Sequence, residues 1–306
     1  MEILRFLEGI RTPFLDSFFS VVTHLGEETF FIVLGIIFFW CVNKKEGYYI
    51  LSVGFIGTIL NQWLKLIFRI PRPWVKDKNF TIVESARSGA TGYSFPSGHT
   101  QSSVGVFGSI ARFEKVKWLR IICIAICVLV PISRLYLGVH TPLDVGVSLI
   151  IALVLVLGLY PIIQNCFEDI RKMRLLLIGM IVLSAAYFAF VSFYNFPKDT
   201  DAENLSHGVE NAYKLLGCTV GVWIGFEVDR KYINFKTDGN FLCQTLKFIV
   251  GLIPLLAIKE GLKYPFDLFF SGSYIADGVR YLILVVFVAC IWPLTFKWFR
   301  KITKSN

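Results

Sequence analysis

The stretch VGVSLIIALVLVLGLY, residues 145–160, contains no charged side chain. With its neighbours it forms an apolar run over 143–164, which is long enough for a helix that crosses a bilayer. Similar runs recur along the 306-residue chain, and 55% of its residues are hydrophobic. The sequence therefore predicts an all-α fold, a polytopic membrane helical bundle. We expect spans at about 29–43, 48–69, 99–112, 118–138, 143–164, 174–194, 211–228, 246–264 and 277–297.

Two segments differ from the long apolar runs. Residues 3–21 carry apolar side chains at helical spacing, but charged residues interrupt them. This pattern predicts an amphipathic interfacial helix within 1–28, and it lacks the uninterrupted apolar core of a cleaved signal peptide. The predicted span 99–112 is short and rich in small residues, which favours a helix packed inside the bundle.

The composition argues against several other classes of protein. The seven cysteines lie in or beside apolar runs without CxxC spacing, so we expect core or lipid-facing residues rather than disulfides or a metal site. The net charge is +9, but the basic residues lie in short loops and a brief tail. We therefore expect membrane lipids, and not a nucleic acid, as binding partners.

The distribution of positive charge predicts the orientation. More than half of the Lys and Arg residues lie in alternate loops and the tail, and this side is cytoplasmic by the positive-inside rule. The opposite loop, NFPKDTDAENLSHGVEN at 195–211, is mainly acidic. Everything between the spans 48–69 and 99–112 then faces outward, and we expect a bacterial inner membrane. The cytoplasmic cations are Lys44, Lys45, Arg112, Lys115, Lys117, Arg120, Arg171, Lys172, Arg174, Arg230, Lys231, Lys236, Lys247, Lys297, Arg300, Lys301 and Lys304.

Three polar clusters lie at this outer face. KLIFRIPRP, 65–73, places three cations along one helical stripe, and FPSGHT, 95–100, forms a turn that opens a helix. SRLYLGVHTPLD, 133–144, contributes an arginine, an imidazole and a carboxylate. Cations and free helix N–H groups that converge on one point favour an oxyanion, most naturally phosphate.

Each residue of these clusters also has a simpler interpretation. Lys65 and Arg72 are placed where basic side chains anchor a span at the membrane interface. Ser97 is a normal helix N-cap, and a lone interfacial His99 is more often a hydrogen-bonded structural histidine. Structural roles also remain open for Arg134, which lies near a membrane boundary.

Asp144 has two interpretations that are compatible with each other. Thr141 and Asp144 have the spacing of a capping box, with Pro142 at the first helical position. Asp144 also lies one helical turn after His140, where a carboxylate can accept the Nδ1–H bond and leave Nε2 as a nucleophile.

The three clusters together resemble the motifs of the type-2 phosphatidic acid phosphatase superfamily. The first is Lys65 followed after six residues by Arg72-Pro73, and the second is Pro96-Ser97-Gly98-His99. The third is Ser133-Arg134, then His140 after five residues and Asp144 after three more. The resemblance implies a six-helix phosphatase core over 29–194. It leaves the segment 1–28 and the transmembrane helices within 195–306 without an assigned role.

The resemblance also implies a role for each motif residue. His140 would attack phosphorus and form a phosphohistidine, Asp144 would orient it, and His99 would act as general acid and base. Neither a metal nor another cofactor is implied, because the cations hold the phosphate. Asn61, Gln62 and Arg69 share a helix with the first motif and are expected to support the site or to pack. The implied phosphate ligands are Lys65, Arg72, Ser97, Gly98 and Arg134.

Three functions fit this pattern. The first is a lipid phosphate phosphatase acting on phosphomonoester or pyrophosphate headgroups, such as phosphatidic acid-like or polyprenyl pyrophosphate-like lipids. The alternative is a phosphotransferase that uses the same site to pass the phosphoryl group to an acceptor hydroxyl. The third is a non-catalytic lipid-binding or transport protein that keeps the anion site. The pair of histidines and the carboxylate disfavour it, because simple binding needs none of them.

Overall fold

The computed structural model describes residues 1–302 and confirms the all-α fold, with no strand in that range. Lys304, one of the cytoplasmic cations, and the end of the predicted 195–306 region lie outside the described residues. The helices are α1 Glu2–Gly9, α2 Pro13–His24, α3 Glu28–Ile37, α4 Lys44–Phe68, α5 Pro73–Lys76, α6 Gly98–Phe113, α7 Lys117–Tyr136, α8 Pro142–Glu168, α9 Ile170–Phe193, α10 Ala202–Val228, α11 Phe241–Gly261, α12 Lys263–Phe269, α13 Ile275–Val286 and α14 Phe296–Ile302.

Six helical segments within the described range are long and apolar enough to cross a membrane, so the chain is a multi-pass membrane protein. The pair Pro13–His24 and Glu28–Val42, bent by 47°, adds a seventh if it is one broken span. The six segments are Lys44–Lys76, Lys117–Tyr136, Pro142–Glu168, Ile170–Phe193, Phe241–Phe269 and Ile275–Arg300.

Three of the nine predicted spans are not among these six. The span 29–43 belongs to the bent pair. The span 99–112 corresponds to α6, whose 16 residues rise only about 24 Å, less than the roughly 30 Å of a hydrocarbon core. The span 211–228 lies in α10, whose mixture of apolar and polar residues keeps it out of the six apolar segments.

The single helix predicted over 3–21 is wrong, because the segment forms two helices. α1 ends at Gly9, and α2 begins at Pro13 with Thr12 as its N-cap, whose hydroxyl accepts a hydrogen bond from the Leu15 amide at 3.3 Å. The residue before a proline disfavours helical backbone, and proline at the first helical position starts a new helix.

Polar contacts anchor α1. The Glu8 carboxylate accepts two hydrogen bonds from Thr81, and Arg5 pairs with Glu8 and Asp77. Burial raises the pKa of Glu8, but the bonds from Thr81 and Arg5 outweigh it and lower the pKa to about 2. The contribution of these bonds to stability is therefore fully present above the pH at which a free carboxyl titrates, and it is lost as the pH falls from there toward about 2.

The chain divides into two compact units. The first contains 1–33, 49–162 and 195–208. Within it, the Tyr49 hydroxyl donates a hydrogen bond to the Val156 carbonyl at 2.6 Å and joins α4 to α8. Most side chains of α6 are buried, from Thr100 to Ile110, which confirms the prediction of an internal helix at this position.

The second unit contains 34–48, 163–194 and the described chain from 209 onward. Here the sequence GCTVGVWIG, 217–225, places a glycine every fourth residue on the α10 face that packs against α13 and the turn after it. A Cβ atom at Gly217 would lie 2.1 Å from the Gly278 carbonyl oxygen, and one at Gly225 would lie 2.3 Å from the Ala289 Cβ. Small residues at this spacing let two membrane helices touch along their backbones.

Candidate active site

The start of α8 is a complete capping box. The Thr141 amide donates to Asp144 Oδ2 at 2.7 Å, and the Asp144 amide donates to Thr141 Oγ1 at 3.3 Å. The Ser94 hydroxyl donates to the same Asp144 oxygen at 2.6 Å. The capping interpretation of Asp144 is therefore confirmed, and two donors, the Thr141 amide and the Ser94 hydroxyl, hold its carboxylate.

His140 lies between this carboxylate and a cation. Its Nδ1 is 3.5 Å from Asp144 Oδ2, and both side chains are 1% exposed. Its Nε2 is 2.8 Å from Nη1 of Arg72. Nη1 of Arg72 is also 3.5 Å from Nδ1. Because guanidinium can only donate, we assign Nε2 as the unprotonated nitrogen and Nδ1 as the protonated one, on the side of Asp144. The 3.5 Å between Nδ1 and Asp144 is at the long limit of a hydrogen bond.

Arg72 and Lys65 are both held by the loop that precedes α6. Arg72 donates to the carbonyls of Thr91 at 2.7 Å and Gly92 at 3.1 Å. Lys65 Nζ donates to the carbonyl of Tyr93. Gly92 has a positive φ of 69°, a backbone conformation that glycine adopts without strain, so the loop can turn its carbonyls toward both cations.

The second motif forms the N-terminus of α6. Ser97 is its N-cap, and its hydroxyl accepts hydrogen bonds from the Thr100 amide at 3.4 Å and the Thr100 hydroxyl at 3.0 Å. The Ser97 amide donates to the carbonyl of Asp144 at 3.1 Å, which joins the second motif to the third. Gly98 is the first helical residue, and the first amides of a helix have no partner within it.

Arg134 is fully buried near the end of α7. Its Nη1 donates to the hydroxyl of Thr23 at 2.6 Å. Its Nε and Nη2 have no hydrogen-bond partner among residues 1–302. His99, half-buried at the start of α6, lies within electrostatic range of Arg134 and His140.

All eight predicted site residues lie in the first unit, around His140. Arg72, His140, Asp144 and Ser97 are connected by direct contacts, and Lys65 is held by the residue next to Ser94. Lys65 and Arg134 are within electrostatic range of the His140 ring. The arrangement can hold an anion and place an unprotonated imidazole nitrogen beside it.

Two contributing residues were not predicted from the sequence. Ser94 precedes the second motif and bonds Asp144, and Thr23 lies 111 positions before Arg134. Neither belongs to a local pattern that would have indicated a role. Arg69 turns back to the Leu66 carbonyl of its own helix. Asn61 is buried, and its amide has no hydrogen-bond partner in the described part of the chain.

The donor set suits an anion better than a metal ion. Three cations surround a single carboxylate, whereas Mg²⁺ and Ca²⁺ are held by several oxygen ligands. Across residues 1–302, no group of three His, Cys, Asp or Glu side chains is arranged to hold a metal.

Comparison with known proteins identifies the family of the chain. A family model described as the PAP2 superfamily matches residues 46–168, which contain all three motifs. A second, described as a PAP2 superfamily phosphatase transmembrane extension, matches residues 213–304. No solved structure matches the chain.

Several curated proteins are similar to the chain. A probable sphingosine-1-phosphate phosphatase of Dictyostelium discoideum is 29% identical over 61% of this chain and 48% of its own length. Phosphatidylglycerophosphatase B of Bacillus subtilis is 31% identical over 54% of this chain and 81% of its own. An undecaprenyl-diphosphatase of the same bacterium is 26% identical over 50% and 79%. The chain thus spans about half the length of the Dictyostelium relative.

Proposed function

Since the chain belongs to the PAP2 superfamily, we propose that it is an integral-membrane lipid phosphate phosphatase that hydrolyses phosphomonoester or pyrophosphate headgroups. One observation carries the proposal: His140 Nε2 lies 2.8 Å from Arg72 while Nδ1 faces Asp144. This is the geometry of an oriented nucleophile beside a phosphate ligand. The three relatives are named for different lipids, and what their names share is a phosphate group on a lipid.

The reaction proceeds in two steps. In the first, the His140 Nε2 lone pair forms a bond to phosphorus, the bond from phosphorus to the lipid oxygen breaks, and His99 donates a proton to that oxygen. In the second, His99 takes a proton from water, the water oxygen attacks phosphorus, and the bond from phosphorus to His140 breaks. Substrate binding requires Arg72 to exchange its bond to Nε2 for one to a phosphate oxygen, which frees the lone pair.

The cations and helix N–H groups stabilise the charge of the transition state. Arg72, Lys65 and Arg134 surround the histidine, and the Gly98 amide and Ser97 hydroxyl lie at the start of α6. Fixed donors in a site of low dielectric constant act strongly on the developing charge and need no reorganisation during the reaction. This arrangement supports a metal-independent mechanism.

The test of the function is the release of inorganic phosphate by the purified protein in detergent micelles. We expect release from at least one of sphingosine 1-phosphate, phosphatidylglycerol phosphate and undecaprenyl pyrophosphate, and little from water-soluble glycerol 3-phosphate. Activity should remain within twofold in millimolar EDTA, because the site's own cations replace a metal. Loss of activity in EDTA with recovery in Mg²⁺ would contradict the metal-independent mechanism, and loss of free phosphate upon adding an acceptor alcohol would favour the transferase.

We also place the active site on the extracytoplasmic face of a bacterial cytoplasmic membrane. The positive-inside rule supports this orientation. The amide of Asp201, in the acidic loop, donates to the Tyr93 hydroxyl at 3.3 Å, so the loop lies beside the site.

Cysteine labelling in intact cells tests this orientation. Asp199→Cys, in the exposed acidic loop, should react with a membrane-impermeant thiol reagent. Lys115→Cys, which is exposed in the loop between α6 and α7 at the other end of α6, should react only after permeabilisation. The reverse pattern would place the site on the cytoplasmic face. The unsubstituted chain, whose seven native cysteines are buried or partly buried, provides the background.

A further inference from the structure

Arg134 is held by a helix that lies outside the family match. Its partner Thr23 is on α2, and the match begins only at residue 46. Thr23 binds Nη1, which leaves Nε and Nη2 without a hydrogen-bond partner in the described chain. These two nitrogens form one edge of the planar guanidinium, the edge that binds two oxygens of a phosphate at once. The contact therefore fixes the group and leaves its phosphate-binding edge open.

The bend after α2 packs on His99. A Cβ atom at Gly26 would lie 2.9 Å from the His99 carbonyl oxygen and 3.0 Å from the His99 Cβ, so only glycine fits there without displacing a neighbour. Glu27 of the same bend lies within electrostatic range of Arg134. One short segment thus supports both a phosphate ligand and the proposed general acid.

A second set of contacts attaches this N-terminal segment to the end of α7. Arg11 donates to the Tyr136 carbonyl at 3.2 Å, and the Tyr136 hydroxyl donates to Asp16 at 2.7 Å. The Thr12 amide donates to the same hydroxyl at 3.2 Å. Tyr136 lies two residues after Arg134, so the N-terminal segment holds α7 at the arginine and again just after it.

From these contacts we infer that the N-terminal segment 11–27 supports the active site through one residue, Thr23, which is the positioning residue for Arg134. The inference rests on the proposed function, because it assigns Arg134 to the transferred phosphate. Thr23 does not touch the substrate. It sets the direction of the guanidinium fork, and a small misalignment of such a group costs more in the transition state than in substrate binding.

Thr23→Val removes the hydroxyl and keeps the shape of the side chain. We expect kcat on the best lipid phosphate to fall about tenfold with less than a threefold change in KM. Thr23→Ser restores the hydroxyl and should return kcat to within twofold of the unsubstituted protein. Ser20→Ala is the matched control, because it removes a hydroxyl contact from the same helix, to Ser85 at 2.7 Å, away from the site. Its kcat should stay within twofold.

A double-mutant cycle separates positioning from general support of the fold. In an Arg134→Lys background, where there is no fork to orient, Thr23→Val should change kcat by less than twofold. An equal loss in both backgrounds, or a loss that Thr23→Ser does not restore, would overturn the inference.

Binding of orthovanadate, a mimic of the pentavalent transition state, gives a readout that does not depend on hydrolysis. Thr23→Val should raise its Kd about tenfold, and Ser20→Ala should not. If vanadate binding depends on Thr23 but the protein releases no phosphate from any lipid, the proposed function is contradicted and the role of Thr23 is not. An unchanged Kd in Thr23→Val would contradict the inference alone.

Discussion

Replacing His140 by alanine is expected to reduce phosphate release by at least about a thousandfold, because it removes the group that forms the bond to phosphorus in the first step. The Nε2 atom of His140 lies 2.8 Å from Nη1 of Arg72, and Nδ1 lies on the side of Asp144. Rapid quenching in base of the unsubstituted protein with a labelled substrate should conversely trap phosphate on nitrogen, because the phosphorus–nitrogen bond is labile in acid and stable in base.

Two controls make this result specific. His207→Ala removes a histidine at the start of α10 and should retain full activity. The trapped phosphate should survive base, be released by acid and be missing from His140→Ala. Phosphate release by His140→Ala at the unsubstituted rate would refute the assignment of the nucleophile. Phosphate that survives an acid quench but is lost in base would indicate an acyl phosphate instead.

Asp144→Asn is expected to lower kcat by roughly 10²-fold to 10⁴-fold while the protein still folds. An asparagine oxygen can still accept the bonds from Thr141 and Ser94, so the cap of α8 is kept. The negative charge that stabilises a positive His140 during attack is lost, and the amide can hold the imidazole in the wrong tautomer. The measurements are kcat and the melting temperature in detergent.

Thr141→Ala tests the two roles of Asp144 in the opposite way, because it weakens the helix cap and keeps the carboxylate. It removes the hydroxyl that accepts a hydrogen bond from the Asp144 amide, and it should lower the free energy of unfolding by about 1 kcal/mol. It leaves the carboxylate beside His140, and kcat should fall by less than threefold. If Asp144→Asn and Thr141→Ala reduced kcat equally, Asp144 would act only as a cap.

Local patterns in the sequence predicted much of this site. The capping box at Thr141 and Asp144 and the N-cap at Ser97 depend only on residues three or four positions apart, whose geometry a helix fixes by itself. The position of His140 one turn before Asp144 follows from the same periodicity. The resemblance of the three motifs then indicated which residues would converge, without giving a single distance.

The contacts between distant segments could not be predicted in this way. The break between α1 and α2 was missed because apolar spacing continues through Thr12-Pro13, where the proline starts a new helix. The bond from Ser94 to Asp144 depends on how the loop before α6 folds over the start of α8.

The sequence alone determined that this protein is an all-α membrane protein with three motifs of the PAP2 superfamily, because apolar run length and helical spacing are local properties that every helix obeys. Only the tertiary structure decided that Arg72 faces Nε2 of His140, that loop carbonyls hold Lys65, and that Thr23 fixes Arg134. The physical reason is that each of these contacts joins segments far apart in the chain, and packing of the whole bundle sets which side chains meet.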